Sequence, residues 1–500
     1  MVICSGGAAM LFPTLDFALF FMVVFVVSWE LRRRFELRKL VLLGASYFFY
    51  GYWDVRFTAL LLASSLLNYA AGYLLQRHDD ESKRKLIVGI AVAINLAVLG
   101  FFKYYGFFID SLTDVLVQLN IERDLPFLEI ILPVGISFFT FQGISYVVDV
   151  YRRDVKASTS LVDLCLYISF FPQLVAGPIV RAAEFLPQLT APPRLSKKQI
   201  GVGVALILSG LFKKMIIANY LATEIVDKVF FDPSVYGAMD LAVGVYAYAI
   251  QIYCDFSGYS DIAIGIAALL GYRFQRNFNQ PYRAKSLRDF WRRWHISLST
   301  WLRDYLYKPL GGSHGSRFAT YRNIFLTMLL GGIWHGAAWT FVFWGMFHGV
   351  AIAVERFIVQ LQPQQNYALA GYGGGAVGRM LELSDSGGRA ITGFVGFLLT
   401  FNLVCFSWIL FRSPDMDTVT TLLQGLGTWG QGPELTTPFI SILVFGTLAS
   451  QFLPANWVEN AGVTLSRLGP IPLGLVLGAG LLSIEAVSPD GVAPFIYFQF

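Results

Sequence analysis

Charged residues are scarce in this chain. Asp, Glu, Lys and Arg make up 14% of its 500 residues, whereas ordinary soluble domains contain about 25%. Hydrophobic residues account for 55%, and the mean hydropathy is +0.57. This composition excludes an ordinary soluble domain and indicates a chain that lies largely within a lipid bilayer.

Paired cysteines are also lacking. The four cysteines, Cys4, Cys165, Cys254 and Cys405, show no paired spacing, so the sequence indicates neither a disulfide framework nor a zinc site. No motif indicates a metal, a redox cofactor or a nucleic acid. We therefore expect no bound cofactor and no nucleic-acid partner, and we expect membrane lipids to surround the chain.

Long apolar runs recur along the sequence. A helix needs about 20 apolar residues to cross the hydrocarbon core, and a helix satisfies its own backbone hydrogen bonds there. We expect an all-α, polytopic integral membrane protein with roughly 10–13 membrane-spanning or re-entrant helices, forming a single domain over residues 1–500. The clearest runs are residues 11–28, 57–75, 86–102, 200–217, 241–253, 391–411 and 473–484.

The remaining charges are unevenly distributed. Residues 32–39 and 77–85 are rich in Lys and Arg; read as short loops, they are predicted to be cytoplasmic by the positive-inside rule. The acidic segment 110–129 is predicted to lie on the opposite face. Residues 362–388, which are polar and rich in glycine, are predicted to form a flexible loop.

The segment 273–322 combines positive charge with an apolar face. Eleven Lys or Arg residues meet only two acids there, Asp289 and Asp304. Apolar residues within 287–305 recur at three- and four-residue steps, which predicts an amphipathic helix at the membrane interface. Its basic side chains suit either phosphates and an acidic carrier protein or lipid headgroups. The candidates for donor binding are Arg292, Arg293 and Arg303.

One histidine lies at the centre of an apolar run. His335 is the only ionisable residue in 325–344, and ionisable groups at membrane depth are costly enough to indicate function. A neutral imidazole can accept the proton of an alcohol while that alcohol attacks a thioester carbonyl. His335 is therefore the candidate catalytic residue. The alternative is a structural histidine that is hydrogen-bonded between helices.

The other histidines are weaker candidates. His295 lies on the predicted amphipathic helix, as an interfacial residue or as part of a site. His348 follows His335 by thirteen residues and would point about 140° away from it on a straight helix, so we predict a structural role. His78 and His314 lie among polar residues and are predicted to be solvated.

A polar island follows the apolar run 241–252. It contains Asp255, Ser257 and a second carboxylate, Asp261. Carboxylates at membrane depth need partners, and a catalytic imidazole or the arginines of the basic segment are candidates. A structural salt bridge or a hydrogen-bonded kink is the alternative.

Four motifs run in one order along the chain: PQLVAGP at 172–178, YCDFSGYSD at 253–261, FWRRWHISLSTWLRDY at 290–305 and LGGIWHG at 330–336. Together they resemble the motifs of the membrane-bound O-acyltransferases, in particular the bacterial branch of alginate O-acetylases. A looser likeness extends over about residues 40–412.

The resemblance implies a ring of membrane helices around a tunnel that joins a cytoplasmic donor site to an outer acceptor site. It implies that His335 is catalytic, that His295 is a base, a positioning group or a tunnel residue, and that Trp334 contributes to substrate binding. It also implies a donor, acetyl-CoA or an acyl-carrier thioester, and an acceptor, an exported polysaccharide such as alginate, cellulose or peptidoglycan. The resemblance further implies acetyltransferase partner proteins outside the cytoplasm and a location in the bacterial inner membrane.

Two alternatives accompany this O-acetyltransferase hypothesis. A D-alanyl transferase of teichoic acid modification is a variant within the same family and would use a carrier-protein thioester. A non-enzymatic polysaccharide transporter or scaffold belongs to a different class. A transporter favours matching inverted halves, whereas the hydropathy here is asymmetric around a single basic segment.

Overall fold

The structure, a computed structural model, describes residues 10–121, 128, 130–361, 376–430, 432–489 and 495–496. Helices are the regular secondary structure of these residues, which contain no strand. The prediction of an all-α, polytopic membrane protein is confirmed, whereas the number of roughly 10–13 helices, the ring and the tunnel stay predictions. Within the described chain, six helices are long and apolar enough to cross a membrane: Arg56–Arg77, Glu81–Gln118, Lys197–Phe231, Trp339–Gln360, Gly393–Arg412 and Pro470–Val487.

The α-helices are numbered here in chain order. The first eleven are α1 (Leu15–Glu30), α2 (Phe35–Trp53), α3 (Arg56–Arg77), α4 (Glu81–Gln118), α5 (Ile136–Arg152), α6 (Leu161–Ser169), α7 (Phe171–Leu174), α8 (Ala182–Phe185), α9 (Lys197–Leu211), α10 (Asn219–Leu221) and α11 (Asp227–Phe231). The others are α12 (Ala238–Leu269), α13 (Leu287–Trp291), α14 (Ile296–Leu302), α15 (Arg317–His335), α16 (Trp339–Leu361), α17 (Ala376–Arg412), α18 (Met416–Gly425), α19 (Pro438–Ser450), α20 (Trp457–Leu465) and α21 (Pro470–Val487).

Shorter helical turns join several of these helices. The 3₁₀ turns are Leu31–Arg33, Leu186–Leu189, Pro233–Val235 and Pro281–Arg283. Turns of π-helix are Phe212–Ala218, Ala222–Val226 and Arg303–Tyr307. Such wide turns inside α-helical stretches are frequent at functional sites.

The chain divides into two compact units. Unit 1 consists of Met1–Tyr220, Gln251–Arg276 and Asn456–Phe500, and unit 2 consists of Leu221–Ile250 and Asn277–Ala455. The single domain predicted over residues 1–500 stays a prediction.

Unit 1 buries basic side chains that the sequence placed in loops. Arg38 lies inside α2 and is fully buried. Its guanidinium donates to the carbonyl oxygens of Ser28 at 3.0 Å and Leu270 at 2.6 Å, and to the hydroxyl of Tyr272 at 2.9 Å. The predicted loop is therefore wrong at Arg38, which is part of a helix. Its charge can be buried because these protein acceptors replace the water that would otherwise surround it.

The second predicted basic loop is corrected in the same way. Arg84 lies in the first turn of α4 and is buried. Its side chain donates to the backbone carbonyls of Leu75, Val150 and Tyr151. One arginine therefore ties the ends of α3 and α5 to the start of α4.

Unit 2 contains a helical hairpin whose two arms approach closely. The helices α15 and α16 are joined by residues 336–338, and glycines face each other across the pair. A Cβ atom on Gly332 would lie 2.5 Å from the carbonyl oxygen of Phe341 and 2.8 Å from Cα of Gly345. One on Gly345 would lie 2.7 Å from the carbonyl oxygen of Met328. Small residues let membrane helices pack at this distance.

The predicted amphipathic helix over 287–305 is wrong as a single element. The chain forms α13, turns at residues 292–295, and then forms α14 and the π-helical turn Arg303–Tyr307. Its apolar side chains Phe290, Trp294 and Leu298 are buried inside the protein. Helical spacing persisted on both sides of the turn, so periodicity alone did not reveal the break.

The predicted loop at 362–388 has two parts. Residues 362–375 lie outside the described residues. The backbone of residues 376–388 forms the beginning of α17 instead.

The hairpin packing gives a test of stability. We expect Gly345→Ala to lower the midpoint of thermal unfolding in detergent, because the added methyl group would overlap the backbone of α15. Gly446→Ala in α19 is the matched control, since no atom lies within 4 Å of its added Cβ and alanine favours a helix over glycine by about 1 kcal/mol. Equal midpoints for the two variants would contradict close packing at Gly345.

Candidate active site

His335 lies where the hairpin turns. It is the last residue of α15, and Gly336 follows it in an extended conformation. Its side chain is 4% exposed. A Cβ atom on Gly336 would overlap the ring of Phe341, so this aromatic ring covers the turn directly after the histidine. The imidazole is therefore held at a helix end rather than in the middle of a span.

Aromatic rings surround the His335 imidazole. The ring centroid of Trp344 lies 5.0 Å away and that of Phe411 lies 5.2 Å away, both close to perpendicular. Trp344 and Phe411 are 5.4 Å from each other, and each is 1% exposed. The imidazole thus lies in an apolar, water-poor setting, of the kind that can keep water away from a reacting group.

His295 has an unusual backbone conformation. Its φ is 41°, in the left-handed region, where a residue other than glycine is strained by about 1–2 kcal/mol. The neighbouring chain is fastened to Asn277: the N–H of Ile296 donates to the Asn277 carbonyl oxygen at 2.9 Å, and Ser297 Oγ donates to Asn277 Oδ1 at 2.9 Å. Strain that is held by surrounding contacts is characteristic of functional positions.

The two candidate histidines meet at one tryptophan. The Trp334 ring centroid lies 6.4 Å from that of His295 and 5.0 Å from that of His335. His295 is fully buried, and Trp334 is 6% exposed. Residues forty positions apart in sequence therefore form one buried cluster in unit 2, which we call the histidine cluster: His295, Trp334, His335, Trp344 and Phe411.

His348 occupies a separate position. It lies on α16, whereas His335 ends α15, so the straight helix assumed for their relative orientation is wrong. Its Nδ1 accepts a hydrogen bond from Trp291 Nε1 at 3.4 Å, and its Nε2 lies 3.1 Å from Ser407 Oγ. Both ring nitrogens are engaged within the protein, which suits a structural histidine.

The three arginine candidates differ in their partners. Arg293 pairs with Asp289 at 2.8 Å. Arg303 donates to both oxygens of the buried Asp304 carboxylate at 2.9 Å, and these bonds raise the pKa of Arg303. Arg292 is exposed and, within the described chain, its side chain makes no ion pair. Of the three, Arg292 is the one whose charge is not already neutralised by a neighbouring carboxylate.

Asp255 and Ser257 belong to unit 1 and have lysine partners there. Asp255 forms a buried ion pair with Lys214, and its second oxygen accepts the N–H of Ile496 at 2.9 Å. Ser257 accepts a hydrogen bond from Lys213 at 3.1 Å. The lysines rather than an imidazole or the basic segment are thus the partners that the structure describes for this polar island.

Sequence reasoning missed part of the histidine cluster. Trp344, Phe411 and the supporting Asn277 were not predicted as site residues. Tryptophan and phenylalanine are common throughout this chain, so residue type gave no signal. Within the described residues, no group of three His, Cys, Asp or Glu side chains could hold a metal ion.

The Lys214–Asp255 pair gives a second test. We expect Asp255→Asn to lower the thermal unfolding midpoint strongly, because an uncompensated buried lysine costs about 3–5 kcal/mol. The control is Glu224→Gln, which removes an exposed partner of Lys228 and should change little. Combining Asp255→Leu with Lys214→Met should recover part of the loss; a midpoint as low as that of Asp255→Asn would contradict the ion-pair explanation.

The burial of His295 gives a pH test. Burial lowers the pKa of His295 to about 3, whereas the unfolded imidazole takes up a proton below a pH of about 6.5. Between the folded pKa of about 3 and the unfolded pKa of about 6.5, the imidazole takes up a proton when the protein unfolds. The free energy of unfolding therefore falls as the pH falls through this range, by about 1.4 kcal/mol per pH unit.

Asparagine tolerates the left-handed region, so His295→Asn removes the titration while keeping the backbone. We expect its unfolding midpoint to drop less than that of the wild type when the pH is lowered from about 7.5 to about 5. An identical drop in the two proteins would contradict the burial of a neutral His295.

Comparisons with known proteins identify the family to which the chain belongs. The model of the membrane-bound O-acyltransferase family (MBOAT) matches residues 152–373. The chain is 39% identical to the "Probable alginate O-acetylase AlgI" of Pseudomonas aeruginosa, over 89% of this chain and 80% of that protein. It is 33% identical to the "Peptidoglycan O-acetyltransferase" of Helicobacter pylori, over 78% and 73% respectively. It is 27% identical to the "Teichoic acid D-alanyltransferase" of Bacillus subtilis, over 56% and 68%. The chain is therefore a multi-pass membrane acyltransferase and belongs to the membrane-bound O-acyltransferase family.

Proposed function

We propose that this chain is an O-acetyltransferase that moves an acetyl group from a cytoplasmic thioester towards an exported polysaccharide. The observation that carries the proposal is the buried cluster in which His295 and His335 contact the same indole, that of Trp334. The donor is acetyl-CoA or an acyl-carrier thioester, and the enzyme resides in the bacterial inner membrane.

His335 acts as the general base. A hydroxyl oxygen attacks the thioester carbonyl carbon, a C–O bond forms, and His335 takes the hydroxyl proton. The C–S bond then breaks, and the imidazolium returns this proton to the departing thiolate. The aromatic neighbours Trp344 and Phe411 support this role because they exclude water that would otherwise compete for the acetyl group.

His295 acts as a positioning group or as a second base. Its contact with Trp334 allows it to fix the indole that lies beside His335. The strained backbone and the bonds to Asn277 hold the ring in one place, and small displacements in such a site cost large factors in rate. The low pKa of His295 keeps its imidazole neutral.

The arginines contribute to donor binding to different degrees. Arg292 is the leading contact for a phosphate or an acidic carrier surface, because its guanidinium is exposed and forms no ion pair with any residue that the structure describes. Arg293 and Arg303 already bind Asp289 and Asp304 and would shape the surface rather than supply the main charge. The Trp334 side chain lines the substrate site.

The acceptor is inferred from the relatives. Their names include an alginate O-acetylase and a peptidoglycan O-acetyltransferase, which favours an extracytoplasmic polysaccharide, alginate-like, cellulose or peptidoglycan, reached through periplasmic acetyltransferase partners. A D-alanyl transferase of teichoic acid is the second candidate, supported by a lower identity over a shorter part of the chain. A non-enzymatic transporter or scaffold is set aside, since the family is one of acyltransferases.

The proposal is tested by label transfer from radiolabelled acetyl-CoA in membranes that contain the chain and its acceptor glycan. We expect His335→Ala to reduce transfer to background, because removing a general base costs about 10²–10⁴-fold in rate. His314→Ala, which alters an exposed histidine of the same unit, should transfer at the wild-type rate. Size-exclusion profiles in detergent verify that both variants fold.

The alternative outcomes separate the candidates. Undiminished transfer by a folded His335→Ala variant would remove His335 as the base. Transfer from a D-alanyl carrier thioester, without transfer from acetyl-CoA, would favour the D-alanyl transferase.

A further inference from the structure

Several buried polar side chains of unit 2 have no hydrogen-bond partner among the described residues, and two of them are indoles near His335. Trp344 and Trp408 are each 1% exposed. Among the described residues, neither indole N–H has a hydrogen-bond acceptor. A buried donor without an acceptor is destabilising, so such a group in a functional cluster points to a ligand that supplies the acceptor.

The position of Trp344 identifies it as the more direct of the two. Its ring lies 5.0 Å from the His335 ring at an interplanar angle of 84°. It also lies 4.7 Å from the His348 ring, and Trp408 is stacked 6.3 Å away. Aromatic rings thus surround the Trp344 indole, which belongs to the same buried histidine cluster as the proposed base.

Fixed neighbours hold this indole in place. Trp291 lies 5.8 Å from it and donates its own N–H to His348, while Ser407 engages the second nitrogen of His348. One turn of α16 beyond Trp344, His348 is therefore anchored to other elements of unit 2. Donors that are immobilised before the reaction are the ones that stabilise developing charge effectively.

We propose that the Trp344 indole N–H donates a hydrogen bond to the carbonyl oxygen of the acyl thioester and to the oxyanion formed from it. This inference rests on the proposed function. When the acceptor hydroxyl attacks, the carbonyl π electrons move onto oxygen, which becomes negative and binds the N–H more strongly. Collapse of this intermediate re-forms the carbonyl and expels the thiolate, which takes the proton held by His335. Trp344 is neither protonated nor deprotonated in the cycle.

The sharpest variant replaces the N–H alone. Incorporating benzothienylalanine at position 344 exchanges the indole N–H for sulfur while keeping the bicyclic ring, so packing against His335 and His348 is retained. Trp344→Phe is the simpler variant, and the isostere decides if that variant fails to fold. The same isostere at Trp301, a buried tryptophan whose ring packs on Tyr305, is the matched control.

The first readout is kinetic. We expect the isostere at position 344 to lower kcat for acetyl transfer by about 100-fold, the typical effect of losing one oxyanion donor. The KM for acetyl-CoA should rise by no more than about 5-fold, the effect of one neutral hydrogen bond to the ground-state carbonyl. The pH profile should change little, because the base is intact. The isostere at position 301 should leave kcat unchanged. An unchanged kcat for the position-344 isostere would overturn the inference.

The second readout is binding, measured in the His335→Ala background so that it does not depend on catalysis. The probes are two stable analogues of acetyl-CoA, a ketone that keeps the carbonyl and a thioether that lacks it. We expect the chain with Trp344 to prefer the ketone by about 5-fold, as a neutral hydrogen bond allows, and the isostere to lose this preference.

The two readouts distinguish the possible failures. If the isostere at position 344 still prefers the ketone, the role of Trp344 is overturned. The proposed function is not affected by that result, provided that the wild type shows histidine-dependent transfer. Absence of both transfer and carbonyl preference in the wild type would overturn the proposed function together with this inference.

Discussion

A polar group inside a membrane protein must find its partner within the protein, because hydrocarbon offers neither donors nor acceptors. Unit 1 is organised by this constraint. The Arg38 guanidinium joins the end of α1 to the chain that follows α12, and Lys214 meets Asp255 between the π-helical turn Phe212–Ala218 and α12. Asn68 and Asn95 exchange hydrogen bonds between α3 and α4. Each contact fixes helices that are distant in sequence.

Unit 2 meets the same constraint differently around its histidines. His348 is bound at both ring nitrogens, to Trp291 and to Ser407, so its polarity is satisfied before any substrate arrives. Trp344 lies between this anchored histidine and His335. The Trp344 indole is therefore in contact with two histidines of different kinds. His348 has a structural role, and His335 is the histidine that we propose as the base.

Backbone geometry places the two catalytic candidates. Close glycine packing between α15 and α16 leaves little freedom at the hairpin turn, and His335 is the residue at which α15 ends. His295 is oriented by a left-handed backbone that the Asn277 side chain and carbonyl hold from outside. Both imidazoles thus depend on tightly held main chain, and a site supported in this way keeps the precision that acyl transfer needs.

By itself, the sequence determined the helical class, the membrane setting and the family likeness, and it singled out His335 as the catalytic candidate, because hydropathy and a lone ionisable group in an apolar run are local properties. The broken helix at His295, the buried Arg38 and Arg84, and the Lys214–Asp255 pair were decided only in three dimensions. The helical spacing of apolar residues continues across a turn when the segments on both sides of it pack against the protein interior. A charged residue is predicted to be exposed as long as its acceptors, which are distant in sequence, are unknown. The meeting of His295 and His335 at Trp334, and the enclosed indole of Trp344, likewise arise from contacts between residues far apart in the chain, which only tertiary packing brings together.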